Sequence, residues 1–114
     1  MIAVIFELEP RDGCQDRYFE LAEGLRETLQ AQPGFLSIER FQSLARPGRY
    51  LSLSFWEDEE SVRGWRNQMS HRAAQREGRA EVFADYRLRV AHVIRDYGLD
   101  DRAQAPEDNR RALG

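Results

Sequence analysis

The sequence predicts an α+β domain of the ferredoxin-like type. The expected order is β-α-β-β-α-β, giving a four-stranded antiparallel sheet with both helices on one face. Three observations lead there. Two segments repeat apolar residues every three to four positions, others alternate apolar residues at every second position, and turns bearing glycine or proline separate them. A length of 114 residues suits one domain.

Ile2 to Glu9 reads as the first strand, with Ile2, Val4, Phe6 and Leu8 on one face and Ala3, Ile5, Glu7 and Glu9 on the other. Pro10 to Gly13 breaks it. A helix follows from Asp12 or Cys14 to about Gln32, with Tyr18, Leu21, Ala22, Leu25 and Leu29 as its buried stripe. Asp12 is the expected N-cap, with Gln15 three residues on. Gly24, mid-helix, costs roughly 1 kcal/mol relative to alanine and suggests a close neighbour. Pro33-Gly34 ends the helix.

Phe35 to Leu44 is the second strand, with Leu36, Ile38 and Arg40 against Phe35, Ser37, Glu39 and Phe41. Arg46-Pro47-Gly48-Arg49 turns the chain into a third strand, Tyr50 to Glu57, antiparallel to the second. Leu51, Leu53 and Phe55 give that strand an apolar face. Tyr50, Ser52, Ser54 and Trp56 give it a polar-aromatic one, suited to a cavity wall or an interface.

Asp58 caps the second helix, with Glu59 and Glu60 where the positive end of the helix dipole lies. Val62, Trp65, Met69 and Ala73 form its inward stripe, Gly78 stops it, and a short helical piece runs from Arg79 to Phe83. Asp85 to Tyr97 is the last strand, with Tyr86, Leu88, Val90, His92 and Ile94 against Arg87, Arg89, Ala91, Val93 and Arg95. The domain is expected to span residues 1–98, with 99–114 as an extended or partly disordered arm.

Composition removes several function classes. The formal net charge is −3 with mixed signs, so no basic stripe is available for nucleic acid. No apolar run is long enough to cross a bilayer. Met1 leads into a short apolar run without a basic n-region or a small-residue cleavage site, so a cytoplasmic protein is expected. Cys14 is the only cysteine, which rules out an intrachain disulfide and a zinc site built on cysteines. His71 and His92 are the only histidines, too far apart in sequence to suggest a ligand cluster. No Gly-rich phosphate loop follows a strand. No metal and no cofactor are expected. Helices on one face leave the other sheet face semi-apolar and uncovered, which predicts a homodimer through that face.

The run Phe55-Trp56-Glu57-Asp58-Glu59-Glu60, then Trp65-Arg66-Asn67, His71-Arg72-Ala73-Ala74-Gln75 and Gly78-Arg79 resembles the antibiotic biosynthesis monooxygenase domain. So do Asp85-Tyr86-Arg87-Leu88-Arg89-Val90, Arg95-Asp96-Tyr97, the first strand and Pro33-Gly34-Phe35. The likeness covers roughly Met1 to Gly98. It implies a dimeric α/β barrel, each subunit giving one sheet, with a pocket between sheet and helices. It also implies cofactor-independent oxidation of a small aromatic or quinol-like molecule by dioxygen. Other members of that family degrade haem, and many have no known activity. In the haem-degrading branch the helix tryptophan is matched by Trp65. Its haem-ligating histidine falls at Gln75, and its first-strand asparagine corresponds roughly to Glu7. Those two departures disfavour haem degradation here.

Cofactor-free oxygenation asks for a mostly dry pocket, a base of near-neutral pKa and donors to hold an anion. His71, beside Arg72, is the candidate base, and Asn67 a candidate donor to a substrate oxygen. Trp65 could stack a planar substrate, Tyr86 or Arg87 at the start of the last strand could steady its anion, and Arg72 is a further substrate-binding candidate. Plainer alternatives stand beside these: core packing for Trp65, an exposed helix position or the capping of a neighbouring group for His71, a solvated helix surface for Asn67, and a structural hydrogen bond or surface ion pair for Tyr86 and Arg87. His92 suits an interface or a satisfied core position. The chain could also be a non-catalytic dimeric barrel that binds a small hydrophobic ligand or serves in a stress response.

Overall fold

The computed structural model describes residues 1–114, the side chains of Met69 and Ser70 excepted, so Met69 of the expected stripe lies outside the described side chains. The elements are β1 (Ile2–Pro10), α1 (Gln15–Gln30), β2 (Phe35–Gln42), β3 (Tyr50–Trp56), α2 (Glu59–Arg66), α3 (Met69–Glu77), a π-helical turn (Gly78–Val82), β4 (Phe83–His92) and α4 (Glu107–Leu113). The sheet runs β2-β3-β1-β4 with every neighbouring pair antiparallel. This is the expected ferredoxin-like arrangement. Among the described residues no helix is long and apolar enough to cross a membrane.

Register sorts the two faces. Ile2 pairs with Trp56 and His92, Val4 with Ser54 and Val90, Phe6 with Ser52 and Leu88, and Leu8 with Tyr50 and Tyr86. These residues share the helix-covered face, joined from β2 by Ile38 opposite Ser54 and Arg40 opposite Ser52. The other face carries Ala3, Ile5, Leu51, Leu53, Phe55, Phe41 and Ala91, by the same alternation. Trp56 therefore lies beneath the helices, and Phe41, Ile5 and Ala91 form the uncovered apolar face. At one end of that face Glu7 pairs with Arg89 at 3.1 Å and with Arg49 at 3.5 Å.

Beneath the helices the buried side chains form two clusters. Ile2, Leu29, Trp56 and Val62 make one, with Val4, Phe35, Ile38 and Trp65 against it. Leu8, Tyr18 and Val82 make the other, with Phe6, Cys14, Leu21, Tyr50 and Phe83 against it. Both Ser52 and Ser54 fall on the stretch of β3 between Tyr50 and Trp56, so small side chains floor the interval between the clusters. Arg17 on α1 forks onto Glu77 on α3, with Nη2 at 2.6 Å from Oε1, and so ties the helices together above it.

Several expected boundaries move, each for a local reason. Cys14 rather than Asp12 holds the N-cap position of α1, with no side-chain cap. Among the described residues, nothing outside its own helix backbone and chain neighbours lies within 4 Å of a Cβ built on Gly24, so the expected close neighbour is not found there. A bulge between Phe35 and Ser37 puts Phe35 on the same side as Ile38 and opposite Trp56, leaving Leu36 47% exposed. The second helix is two helices, α2 and α3, and Ala73 is exposed rather than inward. Gly78 does not stop a helix by left-handed geometry: it keeps helical angles (φ −55°, ψ −51°), and its lack of a side chain makes room for Phe83. β4 ends at His92, not Tyr97, because it is an edge strand whose only partner, β1, begins at Ile2. Ile94 is accordingly exposed. Beyond Gly98 the tail turns back on itself, Gly98 N donating to Asp101 O at 2.8 Å, and ends in α4.

Candidate functional site

The site is built at the junction of α2 and α3. Asp58 fixes the start of α2: its Oδ1 accepts from Ser61 N and Ser61 Oγ, each at 2.8 Å. Those bonds to the charged form hold the Asp58 carboxyl below its ordinary pKa. Gly34, at φ +78°, sits so close under Ser61 that no side chain would fit, and its carbonyl accepts from Glu57 N at 2.8 Å. The start of β2 and the start of α2 are thereby locked together.

The end of α2 sets the chemistry. Gln68 turns extended (φ −66°, ψ 135°), and its side-chain Oε1 accepts from His71 N at 3.0 Å, capping α3. The chain bends there, and His71 folds back over the helix it has just left. Its Nδ1 lies 3.0 Å from the Trp65 carbonyl oxygen, one of the terminal acceptors of α2. A carbonyl only accepts, so Nδ1 carries the proton and, in the neutral ring, Nε2 keeps a free lone pair. Burial pushes the His71 pKa below 6.5, and the bond to the Trp65 carbonyl opposes this only in part. The ring is therefore neutral at pH 7, with Nε2 in the form of a base.

An aromatic tier supports it. The His71 and Trp65 rings stack at 4.3 Å with planes 13° apart. Trp65 stacks on Trp56 at 6.5 Å and 29°, and Phe35 meets Trp56 edge-on at 5.3 Å. Each such contact contributes about 0.5–1.5 kcal/mol beyond area burial. Trp56, 1% exposed, donates its Nε1 hydrogen to Ser54 Oγ at 3.0 Å. The tier runs from the sheet floor to the helix junction and fixes the imidazole at its top.

Four of the five expected site residues meet at this junction. Trp65 and His71 stack. Asn67, the C-cap of α2, accepts through Oδ1 from Arg72 Nη2, and both are exposed. Tyr86 stands apart on β4, 39% exposed, with its ring 5.7 Å from Phe6 and 5.9 Å from Phe83. Trp56 and Ser54 were not expected as site residues; the Ser-X-Ser-X-Trp alternation of β3 was their signal. Glu7 lies on the opposite sheet face from the stack, and Gln75 is exposed on α3. Among the described residues no three His, Cys, Asp or Glu side chains converge as a metal-ligand set. Two surface grooves lie elsewhere. One, of about 580 Å³, runs along Glu9, Pro10, Arg11 and Asp12; the other, of about 480 Å³, lies between α2 and Val90. Neither is lined by His71, so the polarised histidine, not groove volume, marks the candidate site.

Comparison with known proteins agrees with this architecture. The family model for antibiotic biosynthesis monooxygenase matches residues 1–77. Jasmonate monooxygenase ABM of Pyricularia oryzae is 47% identical over 93 residues, covering 82% of this chain and 43% of that protein. The chain thus spans less than half the length of that relative. Protein YqjZ of Bacillus subtilis is 35% identical over 78 residues, covering 68% of this chain and 67% of the relative. The solved structure of Rv0793 from Mycobacterium tuberculosis superposes with a TM-score of 0.76 at 13% identity, over 85% of this chain and 98% of that one, which speaks for the fold alone. The chain belongs to the antibiotic biosynthesis monooxygenase family.

Proposed function

We propose that this protein is a cytoplasmic, cofactor-independent monooxygenase that oxidises a small aromatic or quinol-like molecule with dioxygen. The observation that carries this is the placement of His71, stacked on Trp65 with Nδ1 3.0 Å from the Trp65 carbonyl oxygen; burial lowers its pKa, which favours the neutral ring and leaves Nε2 as the proposed base. Nε2 removes a proton from the substrate's acidic C–H or O–H. The resulting anion is the reductant of dioxygen. For an anthrone the balance is one CH2 plus O2 giving one C=O plus H2O. The carbon loses four electrons, one oxygen atom enters the product and the other leaves as water. Trp65 supplies the flat surface beside the base, and Asn67, Arg72 and Tyr86 are the donors proposed for the oxyanion. Haem is disfavoured as substrate by the positions of Glu7 and Gln75.

The working unit is a homodimer joined through the uncovered sheet face. Its centre, Ile5, Leu51, Leu53 and Phe55, is apolar and only half-buried in the single chain, which is the expected state of a surface that a second copy covers. The likeness to a jasmonate monooxygenase supports a second substrate class, a small carboxylated hydrophobe. Oxygen uptake by protein freed of flavin and metal, with an anthrone as substrate, tests the proposal. No uptake above the uncatalysed rate would favour a ligand-binding barrel instead.

A further inference from the structure

We propose that two copies of this chain join sheet to sheet about a twofold axis parallel to the strands, so that Glu39 of each copy pairs with Arg89 of the partner subunit and Arg87 of each lies on Phe41 of the partner subunit. This rests on the homodimer reading above and adds the orientation and the residues that set it.

Register arranges the uncovered face in rows. One row runs Glu39, Leu53, Ile5, Arg89 from the β2 edge to the β4 edge. It is acidic at one end, apolar in the middle and basic at the other. The next row runs Phe41, Leu51, Glu7, Arg87. Several of these groups lack a counterpart within their own chain. Among the described residues Glu39 pairs with no cation and Arg87 with no carboxylate. Arg89 meets Glu7 at 3.1 Å, yet its side chain stays half exposed. Glu7 has a second cation in Arg49 at 3.5 Å, so it does not depend on Arg89 alone. Phe41 is exposed at the β2 edge.

Two rotations lay this face on a copy of itself with the apolar centre, Leu53 and Ile5, on the apolar centre. An axis along the strands exchanges the edges. Then β2 lies over β4 of the partner subunit, Leu53 lies over Ile5, and the charged row meets itself reversed. Twofold symmetry makes the contact twice, with Glu39 facing Arg89 at both ends. An axis across the strands lays each strand over itself. Then Glu39 faces Glu39, and Arg89 faces Arg89. Opposed like charges disfavour a docking mode strongly, so the row selects the first rotation.

The dimensions and the next row fit the same choice. Packed sheets lie about 10 Å apart, a gap that an extended glutamate and an arginine span between them. The rotation that pairs Glu39 with Arg89 also brings Arg87 onto the ring of Phe41, a surface on which a guanidinium stacks well. Glu7 comes over Leu51 already held by Arg49 and Arg89 of its own chain.

Sedimentation equilibrium tests this on the full chain, on Glu39→Arg, on Arg89→Glu, on the double variant and on an equimolar mixture of the two single variants. Each single reversal sets two like-charge contacts in its dimer and is expected to raise the dissociation constant about tenfold or more. The double variant and the mixture both restore opposite charges at both contacts. They are expected to return to within about threefold of wild type. Single variants that dimerise as wild type does would overturn the proposal, because the across-strand rotation only exchanges one like-charge contact for another. So would weakened single variants that neither the mixture nor the double variant restores. Glu39→Arg disturbs no ion pair of its own chain, so it carries the test even if Arg89→Glu fails to fold. Its weakening should shrink at about 1 M salt, which screens repulsion; a loss that ignores salt would count against the proposal. A monomeric wild type at micromolar concentration would sink the homodimer reading itself and leave the face to a different protein. A wild-type dimer indifferent to the reversals would sink this inference alone.

Discussion

The imidazole of His71 lies flat against the indole of Trp65, centroids 4.3 Å apart, while its Nδ1 reaches the carbonyl oxygen of the same residue at 3.0 Å. The break between α2 and α3 makes this possible. On a continuous helix, residues six apart are rotated by about 240° and displaced by about 9 Å, and could not stack. Gln68, extended and capping His71 N, redirects the chain so that the two rings meet.

The proton affinity of His71 should follow its stacking partner. Burial is the main cause of its lowered pKa. In a proton NMR titration, His71 is expected to titrate below 6.5 in wild type and to move up toward 6.5 in Trp65→Ala, where water reaches the ring.

That lowered pKa carries a stability signature. Between the folded pKa and 6.5 the unfolded chain binds the proton and the native chain does not, so stability rises with pH. The contribution is complete above pH 6.5 and is lost as pH falls through the folded value. Urea unfolding at pH 7.5 and pH 5.5 should show a smaller pH dependence in His71→Asn than in wild type.

Two glycines should answer alanine with opposite signs. A Cβ at Gly78 would come within 2.6 Å of the Phe83 ring, which packs edge-on against Phe6 and Tyr18. Gly78→Ala is expected to destabilise by about 1–3 kcal/mol. Gly24 has open space around it in mid-helix, and Gly24→Ala should stabilise by about 0.5–1 kcal/mol. Denaturant titration of both variants measures the pair.

The homodimer proposal predicts a sedimentation mass near twice the 13.3 kDa of one chain at micromolar concentration. Leu53→Glu, which sets a charge at the centre of the uncovered face, should give a monomer that keeps its far-ultraviolet circular dichroism.

Strand and helix order, the stripe of α1 and the Asp58 cap were legible in the sequence, because period and capping chemistry are local. The uncovered apolar face was legible as a class of surface. That Phe41 shares it with Ile5 and Ala91, while Trp56 lies on the other face, needed register, a non-local fact. The α2–α3 break was not legible: the apolar spacing Val62, Trp65, Met69, Ala73 is continuous, and glutamine is an uncommon cap. Consequently His71 was visible as a base but its grip on Trp65 was not. Gly78 read as a helix stop from its type, whereas its reason is a ring that arrives from β4. Tyr18 read as core from its stripe, and it lies in the second buried cluster.

The central claim is that neutral His71 is the base that starts oxygenation. Oxygen uptake with an anthrone, followed across pH for wild type and His71→Asn, tests it most directly. The account predicts a wild-type kcat/KM that rises with pH through an inflection below 6.5, and a variant slower by about 10²–10⁴-fold that has lost the inflection. A variant within threefold of wild type, with the same pH profile, would contradict it.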